Sequence, residues 1–266
     1  MQGGGVLEAR ASGPSRGLWI MESALEPGRQ IVRWHLYPDR AALDAGAVRA
    51  IARIAREAAG RRGAFRIVLA GGSTPRSLYE QLRTLDTCWN TWHVYFGDER
   101  CLPDGHPDRN STLASVALLD HVPVPGGQVH PIGCGQEPAV AAQSYATLLS
   151  GVDCFDLVLL GLGEDGHTAS LFPGASWGTE PDAPAVIVVE RAPKPPARRI
   201  SLSAERLGRT RALMVLVAGE NKRAAVAAWR TGKVLPAGAI RPAAGVDVLL
   251  DPLAWGAPRA TPGYNL

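Results

Sequence analysis

From residue 31 onward, apolar runs of strand length alternate with segments whose apolar side chains recur every three or four positions. The run 155–160 (FDLVLL) is the strongest buried-strand signal in the chain. Further extended runs occupy 66–70, 93–96, 129–132, 185–190, 199–202, 212–218 and 246–250. Between the first of these and residue 31, Leu43, Ala47, Ile51, Ile54 and Ala58 mark an amphipathic helix over 40–60, closed by Gly60. Other helices are predicted over 75–85, 110–120, 137–150 and 221–231. Strand and helix in alternation, with near-continuous apolar strands, predict an α/β fold. The expected architecture is a single domain with a mostly parallel, Rossmann-like sheet and helices on both faces.

Residues 1–30 break this pattern. They are rich in Gly, Ser, Arg and Pro, without sustained apolar periodicity, and read as a flexible N-terminal extension. The stretch has no apolar core of a secretory signal, and Glu8, Glu22 and Glu26 argue against a transit peptide. The α/β domain is expected over 31–256, followed by a C-terminal tail, 257–266. No run approaches the roughly 20 apolar residues a membrane span needs.

Composition adds exclusions more than direction. At 266 residues, 46% hydrophobic and 20% charged, the chain is long enough for a substantial core and too apolar for wholesale disorder. Its net charge is +3, and the basic residues are almost all Arg, the lysines being Lys194, Lys222 and Lys233. The arginines are scattered rather than striped with aromatics, so no nucleic-acid partner is expected. Cys88, Cys101, Cys134 and Cys154 show no C-x-x-C spacing, which fits a reduced, cytoplasmic compartment. The histidines are dispersed, with no H-E-x-x-H, so neither a metal nor a cofactor is expected. No membrane partner is expected, and the expected assembly is a monomer or small homo-oligomer.

In open parallel sheets, ligands sit beyond the carboxyl ends of the strands. Four turns therefore matter. The first is Gly71-Gly72-Ser73-Thr74-Pro75, where two glycines allow a tight turn and close approach of a ligand. Ser73 or Thr74 can cap the following helix, Pro75 suits its first turn, and the exposed amides favour an anion. The second is Gly97-Asp98-Glu99-Arg100, three charges at the end of a buried strand, which are costly unless paired or used. Arg100 suits a phosphate or carboxylate bidentately.

The third turn holds Gly161-Leu162-Gly163-Glu164-Asp165-Gly166-His167. An Asp two residues before a His, wrapped in glycines, is the layout of a base with an orienting carboxylate. The fourth places Lys222 at the start of a helix, where its charge opposes the dipole unless an anion lies between them. The basic, proline-rich segment 191–199, with Lys194 and Arg198, is either a surface connector or a wall of the same anionic site.

Two motif matches fail on context. Gly161, Gly163 and Gly166 satisfy G-x-G-x-x-G, yet Pro173, Gly174, Gly178 and Pro181 interrupt the helix a dinucleotide site requires. Residues 174–178 spell G-x-S-x-G without the preceding strand and following helix of a nucleophile elbow.

Taken together and in order, Leu69-Ala70-Gly71-Gly72-Ser73-Thr74-Pro75, Gly97-Asp98-Glu99-Arg100, the string Asp165-Gly166-His167-Thr168-Ala169-Ser170-Leu171-Phe172-Pro173 and Pro193-Lys194-Pro195-Pro196 resemble one family. It is the glucosamine-6-phosphate isomerase/6-phosphogluconolactonase family, and the resemblance runs from about residue 31 to 253. Arg100, the Thr168-to-Pro173 string and the Pro-Lys-Pro-Pro loop resemble its lactonase branch more than its deaminase branch. One departure stands out: Asp108-Arg109-Asn110 places a long cation where the lactonases typically carry Ser.

The resemblance implies hydrolysis of a phosphorylated sugar lactone, 6-phospho-D-glucono-1,5-lactone, without cofactor or covalent intermediate. His167 would activate water, and Asp165 or Asp98 would orient the imidazole or the water. Arg100 would hold phosphate or the developing oxyanion. The phosphate would lie on Gly71, Gly72, Ser73 and Thr74, with Lys222, Lys194 and Arg198 as counter-charges.

Overall fold

The computed structural model describes residues 30–134 and 137–256, and the backbone of 7–11 and 19–23. The expected tail, 257–266, lies outside the described residues. The strands are β1 (Leu7–Ala11), β2 (Trp19–Ser23), β3 (Val32–Leu36), β4 (Phe65–Leu69), β5 (Trp92–Phe96), β6 (Asp98–Arg100), β7 (Val129–His130), β8 (Leu157–Gly161), β9 (Val186–Val189), β10 (Arg199–Leu202), β11 (Leu213–Val217) and β12 (Val246–Leu250). The main sheet has nine strands in the order β1-β2-β3-β12-β11-β8-β4-β5-β7. From β3 to β7 every neighbouring pair is parallel. Successive strand residues point to opposite faces, and all five of β11 are buried, so both faces of the sheet are covered. The expected mostly parallel α/β sheet is what the chain forms.

Two features differ from the expectation. Within the stretch read as a flexible extension, β1 and β2 pair antiparallel and add to the edge at β3. Backbone hydrogen bonding along a sheet edge needs no apolar periodicity, so this segment carried little sequence signal. Second, β9 and β10 do not join the main sheet; with β6 they form a separate antiparallel sheet, β6-β10-β9. The length of 190–198 accounts for the antiparallel pairing of β9 with β10, because a parallel crossover needs a dozen or more residues whereas a hairpin connection does not.

The helices carry the rim into place. α1 (Arg40–Arg62) is capped by Asp39, whose side chain accepts from the Ala42 amide at 2.8 Å. It ends at Gly63, in the left-handed region at φ 69°, one turn beyond the predicted stop at Gly60. Its buried stripe is Leu43, Ala47, Ile51, Ala55 and Ala58. α2 (Ser73–Leu82) follows β4, and α3 (Asn110–Ala117) follows β6. α4 (Pro138–Leu149) precedes β8 and anchors β5 through the Tyr145 hydroxyl, which donates to the Phe96 carbonyl and accepts from its amide. α5 (Ala204–Gly208) and α6 (Arg223–Arg230) flank β11. Residues 162–185, after β8, form no helix, which removes the dinucleotide reading of the glycine pattern. The strands β4, β5, β8 and β11 are parallel, so the turns that follow them lie along one rim.

Candidate active site

The turn after β8 folds back on itself. Gly163 donates its amide to the His167 carbonyl at 2.7 Å, and the Thr168 hydroxyl donates to the Gly161 carbonyl at 2.7 Å. Ala169 sits at φ 46°, an uncommon conformation for a residue with a side chain and a form of strain that clusters at functional sites. This closed loop sets the Asp165 carboxylate against the imidazole, with Oδ1 2.5 Å from His167 Nδ1. The bond occupies Nδ1, and Nε2 makes no hydrogen bond among the described residues. The His167 ring packs on Phe172, centroids 4.8 Å apart.

Of the two carboxylates expected to orient the imidazole or the water, Asp98 makes no direct bond to the ring. It is buried, and its carboxylate accepts from Ser170 Oγ at 2.6 Å and from Asn110 Nδ2 at 2.9 Å. Asp98 therefore acts on His167 by charge, and the carboxylate bonded to the ring is that of Asp165. Its neighbour Glu99, fully buried, accepts from the amides of Arg100, Asn110 and Ser111 and from the Ser111 hydroxyl, at 2.7–2.9 Å. Glu99 is thus the capping anion of α3. Arg100 donates to the Asp108 carbonyl at 2.5 Å.

The cation at the D-R-N departure turns inward. Arg109 is 2% exposed and donates to the Ile132 carbonyl at 2.8 Å, with Nε 3.5 Å from Glu99 Oε2 and a further ion pair to Asp104. It braces the rim loop from behind and takes no place among the site cations.

The glycine turn meets this network from the other side. A Cβ on Gly71 would lie 1.8 Å from Asn110 Oδ1, so the absent side chain lets the turn sit against Asn110. Gly72, at φ 99°, precedes α2. No side chain caps that helix: neither Ser73 nor Thr74 closes on its own first turn, contrary to the capping expectation. The first turn is held instead by Arg40, which bonds the Thr74 carbonyl and Ser77 while its Nε donates to Asp44 at 2.9 Å. Contacts thus run from Gly71 through Asn110, Asp98 and Ser170 to the His167 turn.

Two lysines complete the rim. Lys194 Nζ is 3.7 Å from Asp165 Oδ1, the same oxygen that meets the imidazole. Lys222, in the single turn Glu220–Lys222 before α6, is half-buried with Glu164, Lys194 and Asp165 as charged neighbours. Asn221 ties that turn to the loop by donating to Glu164 Oε1 at 2.7 Å. Arg198 is exposed, and its carbonyl accepts from the Cys101 amide at 3.1 Å. The buried member of that pair is Arg199, which the sequence reading passed over.

Burial pushes the His167 pKa down from its ordinary 6.5; Asp165 pulls it up by bond and charge, Lys194 opposes, and the net direction is down. Burial alone would raise the Asp165 carboxyl, yet the His167 bond and the His167 and Lys194 charges hold it below its ordinary value. At neutral pH this is a neutral imidazole on an ionised carboxylate. Burial raises Asp98 despite Ser170 and Arg100. Protonation removes a base, and here it is disfavoured. The acidic limb of kcat/KM is therefore expected below pH 6.5, with activity holding as pH falls through that value. A pH–rate profile with its acidic limb above 6.5 would contradict a buried, depressed imidazole.

An Asp–His pair beside two lysines and a helix turn without a side-chain cap, all at the carboxyl rim of a parallel sheet, defines the class: an α/β protein with its charged groups gathered where such sheets place a ligand. The chain belongs to the glucosamine-6-phosphate isomerase/6-phosphogluconolactonase family, whose sequence model matches residues 38–249. It is similar to 6-phosphogluconolactonase 3, chloroplastic, of Arabidopsis thaliana: 36% identical over 198 residues, 67% of this chain and 61% of that protein. It is also similar to the GDH/6PGL endoplasmic bifunctional protein of Homo sapiens: 38% identical over 193 residues, 68% of this chain and 23% of that protein. The match thus spans less than two thirds of the length of either of these relatives. Among solved structures, 6-phosphogluconolactonase from Thermotoga maritima superposes with a TM-score of 0.77 at 26% identity, covering 83% of this chain and 99% of that one. Among the described residues no helix is long and apolar enough to cross a membrane.

Proposed function

We propose that this protein hydrolyses 6-phospho-D-glucono-1,5-lactone to 6-phospho-D-gluconate, the second step of the oxidative pentose phosphate pathway. The observation that carries this reading is the Asp165–His167 pair at 2.5 Å, with Lys194 Nζ 3.7 Å from the same carboxylate oxygen, in a chain similar to several proteins named as lactonases. His167 Nε2 takes a proton from water as it attacks the lactone carbonyl, then returns a proton to the departing ring oxygen. Asp165 fixes the tautomer by accepting from Nδ1. The bond that forms is carbonyl carbon to water oxygen and the bond that breaks is carbonyl carbon to ring oxygen, so nothing is left over. Arg100 serves the phosphate or the developing oxyanion. The phosphate rests on the amides and hydroxyls of Gly71, Gly72, Ser73 and Thr74, with Lys222 and Lys194 as counter-charges and Arg198 as an outer one. A six-membered lactone is a reactive ester, and a single positioned base contributing about 10²–10⁴-fold, with orientation, is sufficient.

The functional unit is residues 31–256, acting on a small molecule as a monomer or small homo-oligomer. The free state of Cys88, Cys101, Cys134 and Cys154 supports a reducing, cytoplasmic location. Acid release from freshly prepared lactone tests the reaction: the expected result is release well above the spontaneous rate, with no ammonia from glucosamine 6-phosphate. Ammonia release, or tight binding without turnover, would replace the lactonase by a deaminase or a sensor.

The phosphate assignment makes a separable prediction. Lys222→Ala should raise KM for the phosphorylated lactone by about tenfold, the worth of ~1.4 kcal/mol, and leave turnover of an unphosphorylated lactone nearly unchanged. Steady-state kinetics on the two substrates check it, and equal losses on both would remove Lys222 from the phosphate site.

A further inference from the structure

We propose that Arg199 is a positioning residue that sets Lys194 and His167 relative to each other, an assignment resting on the reading of that rim as the reaction site. Arg199 opens β10 and lies directly across from Arg100 in the antiparallel pair. Two guanidinium groups opposite one another in a sheet are unfavourable. A core residue alone would not call for a cation at that position.

What the guanidinium does there is specific. It is 5% exposed, and it gathers three consecutive carbonyls: Nη2 donates to Lys194 and Pro195 at 3.1 Å each, and Nε donates to Pro196 at 3.1 Å. Those bonds curl the proline-rich loop so that Lys194 Nζ stands 3.7 Å from Asp165 Oδ1. The same group lies over the Phe172 ring, 5.6 Å from its centroid, and Phe172 is the ring against which His167 packs. One planar cation therefore braces the loop that carries Lys194 and the ring that backs the imidazole. Arginine can fork and stack at once, whereas lysine offers a point charge. Asp98 and Arg100 are its charged neighbours, and Asp98 balances the cation.

The consequence is readable at His167. The charged groups acting on its imidazole are Asp165, Lys194 and Asp98, and of these Lys194 is the one that makes the ring less basic. Loosening the loop takes that cation away, so the imidazole should become easier to protonate.

The experiment is an NMR titration of the His167 ring in the full chain, assigned by comparison with a His167→Asn variant, alongside kinetics. Arg199→Lys keeps the charge beside Asp98 and loses the fork. It should move the His167 midpoint upward, as Lys194→Ala does, and the double variant should move it no further than Lys194→Ala alone. kcat/KM for the lactone should fall with it, and Arg199→Gln should behave alike. An unchanged midpoint in folded Arg199→Lys, or shifts that add in the double variant, would overturn the proposal. So would both Arg199 variants failing to fold, which would make the residue a core component only. If the wild-type protein did not turn over the lactone, the functional reading would fail while the titration result, which needs no substrate, would stand.

Discussion

Replacing His167 by alanine is expected to remove nearly all lactone turnover, a loss on the order of 10²–10⁴-fold in kcat, while affinity for 6-phosphogluconate stays close to that of the wild type. The side chain meets Asp165 through Nδ1 and Phe172 through its ring, and it makes no hydrogen bond to the glycine turn or to Lys222 among the described residues. Truncation therefore takes away the base and leaves the anion site standing. Stopped-flow or pH-stat kinetics with an equilibrium binding measurement separate the two. Comparable loss of binding and turnover would mean that the imidazole grips the ligand instead of moving its proton.

Gly163→Ala should be nearly as damaging although it alters no reacting group. A Cβ at this position would lie 2.0 Å from His167 Nδ1, 2.3 Å from Cε1 and 2.6 Å from Asp165 Oδ1. All three are atoms of the dyad, held by the closed turn, so the added methyl must push the imidazole off the carboxylate. A displacement near 1 Å in a reacting geometry costs about 10²-fold. Gly161→Ala is the matched control, because a Cβ there meets nothing within 4 Å. Equal kcat/KM for the two variants would show that the dyad relaxes around the methyl group.

The fold was most legible where burial is two-sided. The all-apolar β11 and the run that holds β8 could be read as strands from composition alone, since no polar alternation has to be satisfied. The buried face of α1 was equally plain, but its end was not. Gly60 is an exposed residue inside the helix, and the left-handed stop falls at Gly63. Sheet membership was beyond local pattern: β9 and β10 look like any other strand, and the length of 190–198 bears only on their antiparallel pairing.

At the site, residues whose chemistry announces itself were legible in the sequence, and most of those that brace them were not. Asp165 and His167 stand two apart among glycines, and the structure joins them directly. Ser170, Asn110 and Arg40 carry no such signature, because a serine bonded to Asp98 or an arginine bonded to a carbonyl looks like any surface polar residue in the sequence. Arg198 and Arg199 illustrate the limit. Adjacent and identical, they differ because Arg198 ends the exposed loop while Arg199 opens β10, all four residues of which are buried. Arg109 shows the converse, a conspicuous charge that the fold turns into a brace.

The account stands or falls on convergence: the glycine-rich turn and the imidazole must address one ligand at the same time. Titrating 6-phosphogluconate into the labelled full chain while following the backbone amides of Ser73 and Thr74 together with the His167 ring measures this directly. The account predicts that all three respond along a single saturation curve, and that Lys222→Ala shifts that curve to higher ligand concentration. Amides that move while the imidazole stays still, or two curves with separate midpoints, would contradict it.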